Sequence, residues 1–363
     1  MTMNNNKTSD LFLSLQQPCG EPIPVECYVA KWIWILLLPL LLALGTFGNV
    51  LSLVVLARKN LRVHSTSIIL MFLAVSDLTA LWSAILRKGP LHISGVDIRN
   101  WSQVICMVQP WCVNTASLFS VFMLVLLTAE RTLLTMFPVY SRGRITRKRT
   151  LISCVVMLIL VIVITGRLLF INTIKSDKRL TTNGTFTILN NTSIFANTSN
   201  MCLPRTVDSE EFMAGLWKAQ LFIINLTTSM FIIAGNTAVA VKLILQKKKR
   251  KRPEGHTPTA MERRMESAAK LLLVVCCFYL ICTIPYTSFA VITNLFFTDL
   301  QDAKMYARLH LMYAVTTTLL LCNNTFNFWL YFVSGTLFKR EWQLIVASVK
   351  NRSTTLIEWI RQD

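Results

Sequence analysis

Acidic residues are scarce in this sequence. There are 18 Asp and Glu against 37 Lys and Arg in 363 residues, and charged residues of both signs reach only 15%. A soluble domain carries more charge than this, so that class is excluded. The ten cysteines include no CxxC pair and no histidine-rich neighbourhood, which excludes an ordinary structural zinc site. The first thirty residues lack a basic start and a long apolar run. No cleavable signal peptide is expected, and the first apolar span takes over as insertion signal. There is no GxSxG, HExxH or Walker loop and no paired intramembrane carboxylate, so no enzyme is expected. No internal repeat and no matched pair of Gly/Pro-broken helices appears, which argues against a transporter.

What is abundant is apolar sequence, 53% of the chain. It falls into seven runs: about Trp32 to Ala57, Thr66 to Leu86, Cys106 to Met136, Leu151 to Ile171, Phe212 to Leu245, Ser267 to Phe297 and Tyr306 to Val333. Each is long enough to cross a bilayer as a helix. The net charge of +19 gathers between them. Arg58, Lys59 and Arg62 follow the first run, Arg142, Arg144, Arg147, Lys148 and Arg149 the third, and Lys247 to Arg252 the fifth. Positive loops mark the cytoplasmic side, so the N-terminus is outside and the C-terminus inside. Charge packed into short loops does not make a nucleic-acid groove; no nucleic-acid partner is expected. The run 247–252 follows a span directly and suits anionic membrane lipid.

The expected fold is an all-α membrane protein, a seven-transmembrane helix bundle with a short amphipathic C-terminal helix. Residues 1–31 form an extracellular tail, 32–335 the bundle, and 336–363 the amphipathic helix and cytoplasmic tail. In that last segment Phe338, Trp342, Ile345, Val346 and Val349 recur at helical spacing, with Lys339, Arg340 and Glu341 between them. Sequons on the outer side put glycosylation at Asn6, Asn100, Asn183, Asn190, Asn191 and Asn197. Plasma membrane localisation follows.

Two features go beyond a plain bundle. Asp77 lies near the middle of the second span, where a carboxylate costs roughly 2.5–3.5 kcal/mol even on lenient insertion scales. The third span begins at Cys106 and ends near Glu130-Arg131. Those 25 residues make about 37 Å of helix, enough to connect an oxidising outer face with the cytosol.

These residues together resemble the rhodopsin-like (class A) G-protein-coupled receptors. The resemblance is carried by Gly48-Asn49, LAVSDL ending at Asp77-Leu78, Cys106, Glu130-Arg131 with Pro138, Cys282 and Pro285 in CTIP, and NFWLY from Asn327 to Tyr331 with Phe338 beyond. It covers about Trp32 to Val349. Three departures stand out: Thr132 replaces the tyrosine of Asp-Arg-Tyr, Thr283 the tryptophan of CWxP, and Phe328 the proline of NPxxY. A weaker bend in the seventh span is expected. The NFWLYFVSG ending and the DIRN loop are similar to invertebrate neuropeptide receptors for FMRFamide-like peptides.

The resemblance implies no catalysis, an extracellular peptide ligand and a heterotrimeric G protein as partners. In the family the arginine, here Arg131, pairs with its neighbouring acid, here Glu130, and Tyr331 shares in coupling. The family's second acid falls at Met265, with Glu262 and Glu266 beside it, so the resting lock is expected to be looser. Val113 stands where amine receptors carry Asp, and Leu321 where opsins carry the retinal lysine. That leaves a ligand cup of Asn114, Ser117, Tyr286, Phe289, Tyr313 and Thr317. Asp97, Asp208, Glu210, Glu211, Asp299 and Asp302 around the mouth would steer a cationic peptide; a merely solvated rim fits them equally. The resemblance also implies a Cys106–Cys202 disulfide, with Cys19–Cys27 open as a second bridge and Cys112 as a competing partner. Its only cofactor would be an allosteric sodium ion at Asp77, Ser120, Asn323 and Asn327; a protonated Asp77 satisfied by the two Asn side chains is the alternative. Two other readings remain: a receptor for a non-peptide lipid or small molecule, and a seven-span ion- or proton-moving transporter.

Overall fold

The structure, a computed structural model, describes Leu15, Cys19 and residues 23–177, 199–204, 224–250, 260–296, 302–335 and 338–348. Five of the predicted sequons (Asn6, Asn183, Asn190, Asn191 and Asn197) and four of the acids at the mouth (Asp208, Glu210, Glu211 and Asp299) lie outside them. The helices are α1 Val25–Leu56, α2 Ser65–Ser94, α3 Gln103–Met136, α4 Arg147–Gly166, α5 Leu226–Arg250, α6 Ala260–Phe296, α7 Ala303–Thr325 and α8 Asn327–Ser334. A further helix, α9, spans 338–348. Strands β1 Asn172–Asp177 and β2 Ser199–Pro204 pair antiparallel, with Ile174 opposite Cys202.

Among the described residues six helices are long and apolar enough to cross a membrane, α1 to α6. The seventh crossing, α7 continued by α8, is more polar because its polar residues face inward. Thr316, Thr317, Thr318, Asn323, Asn324, Thr325 and Asn327 are all buried in the bundle. Three of the hydroxyls return to carbonyls one turn back, Thr316 to Met312, Thr318 to Ala314 and Thr325 to Leu321. A polar group inside a bundle is tolerated on these terms.

Of the boundaries that differ from those expected, two shape the outer end. Helix α1 begins at Val25, inside the predicted tail. Helix α2 runs on past Leu86 to Ser94. The predicted end fell at Arg87-Lys88, where charge first appears. Both cations are accommodated within the fold: Arg87 meets Asp97 (3.4 Å) and Lys88 donates to the Tyr313 hydroxyl (2.5 Å). What stops the helix is Gly95 at φ 73°, with its N–H on the Leu91 carbonyl. Glycine enters that left-handed conformation without penalty.

The seventh crossing breaks at Phe326 (φ −93°, ψ 4°), although the expected proline is Phe328. The cause lies on α1. Asn49 Nδ2 donates to the Asn324 carbonyl (2.8 Å) as well as to its own Gly45 carbonyl (3.0 Å). An outside donor inserted at a helix carbonyl is a recognised origin of a kink. Gly48 makes the approach feasible, since a Cβ there would lie 3.1 Å from Phe328 Cβ. The bend therefore survives loss of the proline. Phe328 packs instead among Phe332, Phe338 and Trp342, with ring centroids 5.6–6.2 Å away.

Two apolar clusters fill the bundle. The inner one holds Leu73, Met123, Leu127, Tyr279 and Tyr331, and reaches Phe338 of α9. The outer one holds Trp34, Leu81, Phe289, Tyr313 and Leu321. Helix α9 buries Phe338 as its pattern predicts, but Glu341 is only 4% exposed. Its carboxylate accepts from Asn60 Nδ2 (2.8 Å) and meets Arg58 Nε (3.4 Å) in the α1–α2 loop. The pattern put Glu341 among the solvated charges; the basic loop opposite draws it inward.

Candidate functional site

Three helices converge on Asp77. It is fully buried, and Ser120 Oγ of α3 donates to one carboxylate oxygen (2.7 Å) while Asn327 Nδ2 of α8 donates to the other (2.5 Å). Asn323, the fourth residue expected here, turns its amide to Asn324 Oδ1 (3.3 Å) and does not reach Asp77. The donor set of carboxylate, hydroxyl and carboxamides is the oxygen-rich kind that suits a hard cation. Sequence order brought together three of the four residues; the fourth faces its neighbour.

At the inner end Glu130 and Arg131 do not pair directly, contrary to expectation. Successive residues on a helix point about 100° apart and do not face each other. Glu130 lies over the first turn of α2, where Ser65 Oγ (2.9 Å) and Thr66 Oγ1 (2.6 Å) both donate to it. That is also the end of a helix that favours negative charge. Arg131 Nη2 donates to the same Thr66 hydroxyl. Thr66 thus accepts from the arginine and donates to the acid, joining two charges that do not touch. Nothing in the motif pointed to Thr66, because the signal lies on another helix. Tyr331 is buried and packs on Phe338, with centroids 5.7 Å apart. Glu266 pairs with Lys270 (3.2 Å) rather than with Arg131.

At the outer end Tyr286, Phe289 and Tyr313 join one cluster with Trp34 and Val113. Phe289 and Tyr313 are 5% and 2% exposed, so they form a floor rather than open walls. Asn114 is half-buried and spends its amide on the Pro110 carbonyl (2.8 Å). Ser117 is half-buried, and Thr317 is buried with its hydroxyl lacking a partner among the described residues. Sequence reading also missed Lys88. It sits half-buried between two aromatic faces, 4.8 Å from the Tyr313 centroid and 5.5 Å from that of Trp34. Cation–π attraction and the Tyr313 hydroxyl hold it, and no carboxylate among the described residues pairs with it. Lys88 lies beyond the predicted end of its span, which is why the cup omitted it.

The rim is fixed by two disulfides, Cys106–Cys202 and Cys19–Cys27, while Cys112 remains a free thiol. Gln103 docks the β1–β2 pair on α3: its Oε1 accepts from Ile174 N (2.8 Å) and its Nε2 donates to the Asn172 carbonyl (3.1 Å). Asn100, a predicted glycosylation site, is half-buried and accepts from Cys202 N through Oδ1 (2.8 Å).

Of the acids expected to form a free mouth, the two described ones are committed to structure. Asp302 caps α7 by accepting from Lys304 N (2.9 Å). Asp97 is 7% exposed between Arg99 (2.6 Å) and Arg87 (3.4 Å). Burial works to raise the Asp97 pKa, but hydrogen bonds from Arg99 and the charges of Arg87 and Arg99 outweigh it and hold the carboxyl below its usual range. A pKa lowered on folding stabilises above the unfolded value of ~3.9, and that stabilisation is lost as pH falls through the folded value. Asp97→Asn is therefore expected to cost about 1–3 kcal/mol at neutral pH. In thermal melts in lipid nanodiscs the gap between wild type and variant should close as pH is taken below the carboxylate range. A gap that persists unchanged there would refute the charge-based account.

Comparison with known proteins agrees with this geometry. Residues 48–331 match the family described as 7 transmembrane receptor (rhodopsin family). Among curated proteins, cysteinyl leukotriene receptor 1 of Cavia porcellus is 22% identical over 301 residues, covering 82% of this chain and 79% of the relative. A carboxylate shared by three helices, an acid–arginine pair joined through Thr66 at the inner end, a disulfide-tied outer hairpin and a family match over most of the chain lead to one conclusion: the chain belongs to the rhodopsin family of seven-transmembrane, G-protein-coupled receptors, and is a multi-pass plasma-membrane signalling protein rather than an enzyme.

Proposed function

We propose that this receptor answers a ligand carrying an acidic group, of lipid rather than cationic-peptide type, and passes the signal to a heterotrimeric G protein through Arg131. Lys88 carries the reading. An ammonium that is half-buried and, among the described residues, held by two aromatic faces and a hydroxyl is a receptor for an anion. A carboxylate binding there gains a charge-assisted hydrogen bond, and Tyr286, Phe289 and Tyr313 with Asn114, Ser117 and Thr317 supply apolar and polar contacts for the rest of the molecule.

The relative named for a cysteinyl leukotriene supports a lipid. The neuropeptide reading draws on Val113 in place of the amine-receptor Asp, on short strings and on an acidic mouth, and two of its acids, Asp97 and Asp302, are engaged in structure. A peptide with a free C-terminal carboxylate would use the same lysine; an amidated one would not.

The test is a library of lipid acids, their methyl esters and peptides of both C-terminal types, read by calcium and cAMP in cells expressing the chain. A lipid acid should activate and its ester should not. Lys88→Gln should weaken the acid by roughly 10–100-fold, the equivalent of one hydrogen bond to a charged group. An amidated peptide or neutral lipid that activates wild type and Lys88→Gln equally would refute the proposal.

The polar centre is proposed to take sodium, held by Asp77, Ser120 and the carboxamide oxygens of Asn323 and Asn327. An ion that binds one state better shifts agonist affinity by linkage. Agonist affinity should be lower in sodium than in choline, and Asp77→Asn should abolish the difference. Equal affinity in both salts for the unmutated receptor would leave Asp77 as a protonated structural residue.

A further inference from the structure

A second cavity opens at the outer surface beside the cup. It has a volume of about 300 Å³ and lies between the start of α1, the end of α2, the start of α7 and the Cys19–Cys27 disulfide. This is the lower end of the roughly 300–1,000 Å³ range of small-molecule sites. Lys31, Trp34, His92, Ile93 and His310 line it.

Its chemistry is lopsided. Among the described lining residues there is no carboxylate, while Lys31 and two histidines are present. Two wall residues carry buried ring nitrogens with no hydrogen-bond partner among the described residues, Trp34 Nε1 and His92 Nε2. Trp34 is fully buried and His92 is 5% exposed, and the two rings stack with centroids 4.6 Å apart. Buried polar nitrogens are nearly always paired, so two orphans in one wall call for a polar partner that the described residues do not supply.

A metal fits less well. The Cys19 and Cys27 sulfurs lie within 4.8 Å of a His310 nitrogen. They are bonded to each other, and neither offers the thiolate a zinc site would require. An anion satisfies this wall: it accepts from Trp34 Nε1 and from His92 in its Nε2–H tautomer, and meets the Lys31 ammonium at the entrance. The exposed side chain of Ile93 offers apolar surface behind it.

We propose that this cavity is a second ligand site, for a small aromatic or short-chain monocarboxylate, with its carboxylate on Trp34, His92 and Lys31. It is separate from the site at Lys88 and does not rest on the reading given to that lysine. The two share Trp34, whose ring faces Lys88 and also stacks on His92.

The chain holds only four histidines, which makes the site visible to magnetic resonance. The experiment uses full-length receptor in lipid nanodiscs, labelled with ¹⁵N-histidine and titrated with benzoate and, separately, benzyl alcohol. Benzoate should shift the His92 ring resonances saturably, and benzyl alcohol should not. Lys31 is exposed, so Lys31→Gln leaves the fold intact. It should weaken benzoate about 10-fold, in keeping with loss of a charged hydrogen bond. Lys88→Gln should leave the benzoate shift in place, so failure at the cup and failure here are read separately. No saturable shift, an equal shift with benzyl alcohol, or full affinity in Lys31→Gln would each overturn the proposal.

Discussion

Asp77 is fully buried near the middle of α2, and a carboxylate there is stable only if neighbouring helices meet both of its oxygens. Ser120 of α3 and Asn327 of α8 do so. This requirement fixes how three helices face one another. Asn49 of α1 adds the fourth, by holding the Asn324 carbonyl at the place where α7 gives way to α8. The bend at Phe326 and the approach of α1 allowed by Gly48 follow from the same polar centre. Hydrophobic packing alone would not choose this register, because lipid is as apolar as the helices.

Helix α3 carries the consequences of that centre in both directions. Toward the cytosol, Glu130 and Arg131 end on Thr66 at the first turn of α2. Toward the outside, Cys106 and Gln103 hold the β1–β2 pair over the bundle. A stiff element anchored at its middle and engaged at both ends can couple an outer event to an inner one. The inner engagement is a shared hydroxyl rather than a direct ion pair.

The seven crossings were legible in the sequence because apolar length and loop charge are both properties of contiguous residues. Asp77, Ser120 and Asn327 were legible through motif order. What was hidden depends on contacts between distant segments. Arg87 and Lys88 read as the end of a span, yet Asp97 and Tyr313 let α2 run on to Gly95. Glu341 read as a solvated charge, yet Arg58 and Asn60 bury it. Phe328 read as a weaker bend, yet Asn49 holds the backbone at the break. In each case a polar partner from another helix overrides local pattern, and a one-dimensional pattern carries no signal for it.

The central claim is that outer binding reaches a G protein by way of Arg131. It is tested most directly with purified receptor in nanodiscs, a purified heterotrimeric G protein and nucleotide exchange as the readout, using an acid found active in cells. The account predicts that wild type with the acid accelerates exchange, and that Arg131→Ala binds the acid with unchanged affinity in the absence of G protein while exchange falls to the rate of the G protein alone. Equal acceleration by Arg131→Ala would contradict it.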